Sequence, residues 1–261
     1  MKIIVTGAAS GIGRATAIRL QQDASRRDGQ AAELLLVDIN AELLAEAAAE
    51  VAAQGAKVET LVGDLADALV PARAVHTAAN RFGGLDVLVS NAGILRRSSL
   101  LETTLEDYDR TFAVNTRATW LLSKAAYPLL AASKGCLIAT ALISGHEPTG
   151  TLGAYSASKA ALLMLVKQLA CDWGAVGIRC NTVSPGSTRT ALTHIPGVKA
   201  PERRVGRNPL RMIAEPEQQA AVIAFLASPE AAFITGADLL VDGGASTQLM
   251  ATSGMENPWQ P

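Results

Sequence analysis

Short apolar runs rich in Val, Ile and Leu recur along the chain at Lys2–Thr6, Glu33–Asp38, Lys57–Val62, Leu85–Ser90, Cys136–Ile143, Ile178–Ser184 and Asp238–Val241. Between them lie longer amphipathic stretches at Gly11–Gln22, Ala41–Gln54, Ala66–Phe82, Leu105–Ser133, Ala154–Ala175 and Glu217–Ala227. Runs with almost no polar alternation suit strands covered on both faces, and helices between such strands do the covering. The alternation therefore predicts an α/β fold: a doubly wound parallel sheet of about seven strands with helices on both faces, in a single domain over residues 1–245. With 49% hydrophobic and 18% charged residues among 261, the chain can bury a large core. Gln21–Ala32 is polar and reads as a surface loop, Thr190–Met212 lacks periodicity, and 246–261 forms a polar C-terminal tail.

The first strand runs into Thr6-Gly7-Ala8-Ala9-Ser10-Gly11-Ile12-Gly13, and a helix begins at once. Glycines there allow a tight turn and close approach of a pyrophosphate, while the helix N-terminus presents N–H groups and positive dipole to it. Placed after an opening strand, Gly7, Ser10, Gly11, Ile12 and Gly13 read as the phosphate cradle of a Rossmann-like dinucleotide site. The second strand ends in Asp38, whose carboxylate suits the two hydroxyls of an adenosine ribose and repels a 2′-phosphate. Its competing role is to cap the following helix. The expected cofactor is NAD, with Arg14 the one residue that leaves some tolerance of NADP.

Tyr155-Ser156-Ala157-Ser158-Lys159 opens a helix, and an i, i+4 pair lies on one helical face. A phenol is a poor base at neutral pH, but a neighbouring ammonium favours the phenolate. Tyr155 and Lys159 are thus candidates for acid/base chemistry, although such a pair alone also fits an exposed helix face.

These pieces, with Asp64-Leu65, Asn91-Ala92-Gly93, Asn115 and Pro185-Gly186-Ser187-Thr188-Arg189-Thr190, follow one another from Lys2 to Gly244. In that order the chain resembles the short-chain dehydrogenase/reductase family over nearly its whole length. The resemblance implies that Asp64 and Leu65 sit at the adenine, and that Asn91, Ala92 and Gly93 line the cofactor cleft. It further implies that Pro185, Gly186, Thr188 and Thr190 hold the nicotinamide end. Lys159 would bind the nicotinamide ribose, and Asn115 would hold a water linking Lys159 to solvent. Tyr155 would take the proton of a substrate hydroxyl as hydride passes to NAD⁺. The lid over the substrate would be 190–212, and homodimers or homotetramers are expected.

One position departs from the family pattern. Thirteen residues before the tyrosine the family places a serine, and here stands Leu142. If the strand continued, Ser144 would face the same side and could serve as donor. Two stretches, Asn91–Arg96 and Arg179–Thr188, are most similar to the 2,3-dihydro-2,3-dihydroxybenzoate dehydrogenase-like members. The substrate is therefore expected to be a cyclic secondary alcohol or ketone, an acidic cyclohexadiene diol being one form. Arg96 near the cleft, with Leu142 and Ser144, would line its site, and Arg97, Arg203, Arg204, Arg207 and Arg211 are further basic candidates. The alternatives are a general ketone or hydroxysteroid reductase with Leu142 in an apolar pocket, and a cofactor-binding protein with impaired catalysis.

Other classes are disfavoured. A formal net charge of −1 does not suit nucleic-acid binding. No apolar run approaches the roughly 20 residues that span a bilayer. The chain opens directly on a strand, without the pattern of a signal peptide, and Cys136, Cys171 and Cys180 are scattered. A cytoplasmic protein with reduced thiols is expected. His76, His146 and His194 show no ligand spacing, so no metal is expected.

Overall fold

The computed structural model describes residues 1–191 and 208–247. Most of the expected lid, with Arg203, Arg204 and Arg207, and nearly all of the tail lie outside the described residues. Seven strands form one parallel sheet: β1 (Lys2–Thr6), β2 (Glu33–Asp38), β3 (Lys57–Val62), β4 (Val87–Ser90), β5 (Cys136–Thr140), β6 (Arg179–Pro185) and β7 (Asp238–Val241). Their order across the sheet is β3-β2-β1-β4-β5-β6-β7. The order reverses between β1 and β4, and in such sheets the crevice beyond the carboxyl ends at that reversal is where ligands bind.

Strand periodicity divides the core. Ile4, Leu35, Val37, Leu88, Leu137 and Ala139 pack on one side with residues of α3 (Leu69–Phe82), α5 (Ala118–Ser133) and α6 (Tyr155–Trp173). Ile3, Val5, Leu34, Leu36, Val89 and Ile138 face the other side, against α1 (Gly11–Asp28), α2 (Ala41–Ala53) and α7 (Pro216–Ala227).

Three local expectations are corrected. The Gln21–Ala32 stretch is not a loop: α1 continues to Asp28 and stops at Gly29, whose φ of 62° is left-handed. Gln21 is buried there, donating to the Ser25 hydroxyl and the Gln54 carbonyl and accepting from the Ala32 N–H, and Ala24 is buried beside it. The expected helix over 105–133 is broken into α4 (Leu105–Phe112) and α5 by a π turn at Ala113–Arg117. The fifth strand ends at Thr140, and Ile143–Gly145 forms a short 3₁₀ turn. No helix among the described residues is long and apolar enough to cross a membrane.

The β1–α1 turn is the tightest point of the fold. A Cβ on Gly13 would lie 2.0 Å from the Gly7 carbonyl oxygen and 2.7 Å from Asn91 Nδ2. Gly13→Ala must therefore push the helix off the strand. Overpacking of this kind costs at least ~1–3 kcal/mol, or a Tm lower by about 5 °C or more. Gly150→Ala, where an added Cβ meets nothing within 4 Å, should leave Tm unchanged in the same calorimetric comparison.

Candidate active site

At the carboxyl edge of the sheet, a cavity of about 310 Å³ is lined by Gly7, Ser10, Gly11, Ile12, Asp38, Asn91, Ala92, Gly93, Thr140, Ala141, Leu142, Tyr155, Lys159, Pro185, Gly186, Thr188, Thr190 and Ala191. Its floor is tied together by side-chain hydrogen bonds. The Thr6 hydroxyl accepts from the N–H groups of Asn91 (3.0 Å) and Ala92 (3.1 Å). Asn91 Nδ2 donates to the carbonyls of Thr6 and Gly7, and its Oδ1 accepts from the Thr140 hydroxyl at 3.1 Å. Three strand ends are thus fixed relative to one another.

Ser10 stands at the N-cap of α1 with no side-chain capping bond, and the first turn carries no acidic residue. The helix end keeps donors and positive dipole for an anion. Gly7 adopts φ 65°. These features, and the room in front of them, fit the pyrophosphate of a dinucleotide. Gly13 does not line the cavity; it permits the close helix–strand contact behind it.

Asp38 lines this cavity and also a second one of about 120 Å³, with Ile39, Gly63, Asp64, Leu65, Ile94, Arg110 and Val114. Its carboxylate accepts from the Ala9 N–H (3.1 Å) and the Asn40 N–H (3.0 Å). It does not cap α2; Asn40 does, accepting from the Leu43 N–H. Arg14 is held by Glu50 at 2.7 Å. Burial works against the Asp64 carboxylate, but the Ala66 N–H and the Arg110 guanidinium at 2.9 Å outweigh it and hold its pKa below the usual value.

Tyr155 and Lys159 both reach the first cavity from the opening turns of α6. Lys159 Nζ donates to the Thr140 carbonyl at 2.7 Å and lies 5.7 Å from the centre of the Tyr155 ring. Both side chains are buried, Tyr155 to 3% and Lys159 to 2% exposure. Burial pushes the phenol well above its ordinary range and pulls the lysine down to about 8. The expected lowering of the tyrosine by its lysine is thus not what the protein alone shows, because loss of water penalises the charged form of each.

Asn115 sits in the π turn. Its Oδ1 accepts from the Ile94 N–H (2.8 Å), and its Nδ2 donates to the Ile94 carbonyl (3.1 Å) and the Ser158 hydroxyl (3.0 Å). With its side chain committed to these bonds, Asn115 acts on the site by joining the loop after β4 to the helix that carries Tyr155 and Lys159.

Leu142 lines the cavity as the register implies, with Ala141 beside it. Ser144 does not line it. The chain is extended at Leu142 (φ −169°) and then enters the 3₁₀ turn, so the two-residue alternation that would have aligned Ser144 with Leu142 is lost. Its hydroxyl is buried and has no hydrogen-bond partner. Arg96 does not line the cavity either: it pairs with Asp107 at 2.9 Å and is largely exposed. Arg211 is also exposed.

Sequence reasoning missed Arg110, Thr6, Ser158 and Thr140. A cation on α4 that pairs with a carboxylate after β3 leaves no local signal, and the other three act through bonds to residues distant in sequence: Thr6 to the backbone of Asn91 and Ala92, Thr140 to Asn91 and Lys159, and Ser158 to Asn115. Among the described residues no group of His, Cys, Asp and Glu could hold a metal ion.

Residues 7–246 match the family model described as enoyl-(acyl carrier protein) reductase. The chain belongs to the short-chain dehydrogenase/reductase family. It is 34% identical over 244 residues to meso-2,3-butanediol dehydrogenase of Serratia marcescens, covering 94% of each chain. It is 33% identical to 2,5-dichloro-2,5-cyclohexadiene-1,4-diol dehydrogenase of Sphingobium indicum, covering 93% of this chain and 95% of the relative. A short-chain dehydrogenase of Burkholderia cenocepacia, solved in complex with NADP, superposes with a TM-score of 0.86 at 36% identity, covering 94% of this chain and 97% of that one. The protein is accordingly a dehydrogenase/reductase acting on CH–OH groups with a nicotinamide cofactor.

The burial of Lys159 carries a measurable cost in stability. With its folded pKa near 8 and its unfolded value near 10.5, the lysine makes folding costly below pH 8, and the protein regains that stability as pH rises toward 10.5. Lys159→Met should abolish turnover yet melt a few degrees above the parent at pH 7. That advantage should shrink by pH 10 in thermal denaturation.

Proposed function

We propose that the protein transfers hydride between NAD(H) and a small, uncharged cyclic secondary alcohol or its ketone. The observation that carries this reading is the meeting in one cavity of the glycine turn, the Tyr155–Lys159 pair and the apolar wall of Ala141 and Leu142. A bound nicotinamide supplies the hydride acceptor for the carbinol carbon. Tyr155 takes the hydroxyl proton in oxidation and returns it in reduction. Lys159 in its protonated form favours the phenolate, and the Thr140 carbonyl holds its amino group in place. Asp64, Asn91, Gly93, Pro185, Gly186, Thr188 and Thr190 would cradle the dinucleotide.

Asp38 supports NAD over NADP. A carboxylate at the end of β2 accepts hydrogen bonds from ribose hydroxyls and repels a phosphate, and Arg14 is already held by Glu50. The Burkholderia relative holds NADP, so the preference rests on this chain's own residues and not on kinship. The relatives named for a butanediol and a cyclohexadiene diol support a secondary alcohol as substrate. An acidic substrate loses the contact with Arg96, which Asp107 already neutralises.

Tyr155→Phe should reduce turnover below detection while NADH, followed by its fluorescence, binds with nearly unchanged affinity, because only the proton-transfer group is removed. Asp38→Ala should narrow the ratio of NADP⁺ to NAD⁺ dissociation constants by about tenfold in calorimetric titration, the size of a lost charge-assisted hydrogen bond. Equal affinity for both cofactors in the unaltered protein would remove the argument from Asp38.

A further inference from the structure

We propose that the substrate carries a second hydroxyl on the carbon next to the reacting carbinol, and that this hydroxyl supplies the hydrogen bond that no side chain of the β5 wall gives. The proposal rests on the dehydrogenase reading above and narrows its substrate class to vicinal diols and their α-hydroxy ketones.

The β5 wall of the cavity consists of Thr140, Ala141 and Leu142. The Thr140 hydroxyl donates to Asn91 Oδ1, and the Thr140 carbonyl accepts from Lys159. The Ala141 N–H donates to the Val183 carbonyl at 2.8 Å. Leu142 has no side-chain donor, and the Ser144 hydroxyl lies buried outside the cavity. Among the described residues of the β5 wall no side-chain hydroxyl is left to join Tyr155 at the substrate oxygen.

That oxygen gains negative charge as its proton moves to Tyr155 and the carbinol hydrogen departs as hydride. A fixed neutral donor aimed at such an oxygen accelerates comparable reactions by ~10²–10³. A hydroxyl on the adjacent carbon, gauche to the reacting oxygen, is such a donor, and the substrate's own frame holds it. It keeps its proton throughout: the hydride goes to the nicotinamide, the reacting hydroxyl's proton goes to Tyr155, and the neighbour only donates a hydrogen bond. The apolar side chain of Leu142 offers the neighbouring hydroxyl no competing acceptor, which favours its bond to the reacting oxygen.

The test compares kcat/KM at saturating NAD⁺ for cis-1,2-cyclohexanediol, cyclohexanol and cis-2-methoxycyclohexanol. The methyl ether keeps the second oxygen but removes its proton. In the unaltered protein the diol should exceed both others by about tenfold or more. In Leu142→Ser, cyclohexanol and the ether should gain and the diol should not, so that the preference contracts to about threefold or less; Leu142→Thr serves as a second variant carrying the same donor. Equal turnover of all three substrates by the unaltered protein overturns the inference and leaves the dehydrogenase reading intact. A diol preference undiminished in both folded variants also overturns it, since the second hydroxyl is then recognised elsewhere. No turnover of any of the three overturns the underlying reading and the inference with it.

Discussion

The carboxyl edge of the sheet depends on a short chain of hydrogen bonds running from Thr140 through Asn91 to Thr6 and Gly7. Parallel strands end in unsatisfied backbone groups, and at the reversal between β1 and β4 no crossover helix covers them. Asn91 satisfies several at once, with an amide that donates to two carbonyls of the β1 end and an oxygen that accepts from β5. The glycine turn rests on that support, since Gly13 can press against the Gly7 carbonyl only while the carbonyl is held in place. The nearness of Thr140 to Lys159 follows from the same chain.

A second constraint is the burial of charge. Lys159 is enclosed by the helix that carries it and the end of β5, and Tyr155 is enclosed with it. The resulting pull on the lysine and push on the phenol move the two apart, so that in the protein alone each is harder to charge than in water. The π turn contributes at one remove: by placing Asn115 between Ile94 and Ser158, it ties the loop after β4 to the start of α6.

Much of this was legible in the sequence. The inner strands announce themselves because both faces are covered and their runs are mainly apolar, whereas the edge strands β3 and β7 are partly exposed; the glycine turn and the Tyr155–Lys159 pair carry local spacing that survives without tertiary information. What could not be read depended on contacts between distant residues. Gln21 is polar, yet it faces inward because Gln54 and Ala32 complete its hydrogen bonds, so composition misnamed the end of α1. A π turn keeps the chain helical and needs no glycine or proline, so Ala113–Arg117 carries no break signal in the sequence. Strand alternation groups Ser144 with Leu142, but it ceases to apply where the backbone turns at Ile143. Arg96 looked free because Asp107, its partner, comes from the next helix.

The hydrogen bond from the Ala9 N–H to Asp38 has a consequence for descent. On the dinucleotide reading proposed above, the carboxylate that would meet the adenosine ribose is also a brace for the glycine turn, so one residue would be answerable to two parts of the same ligand. A lineage drifting toward the phosphorylated dinucleotide cannot simply exchange this acid for a neutral or basic side chain. It must first find another acceptor for the Ala9 amide, or surrender some grip on the pyrophosphate while the new phosphate contact matures. The NAD preference proposed for this chain would therefore be guarded by architecture as well as by charge.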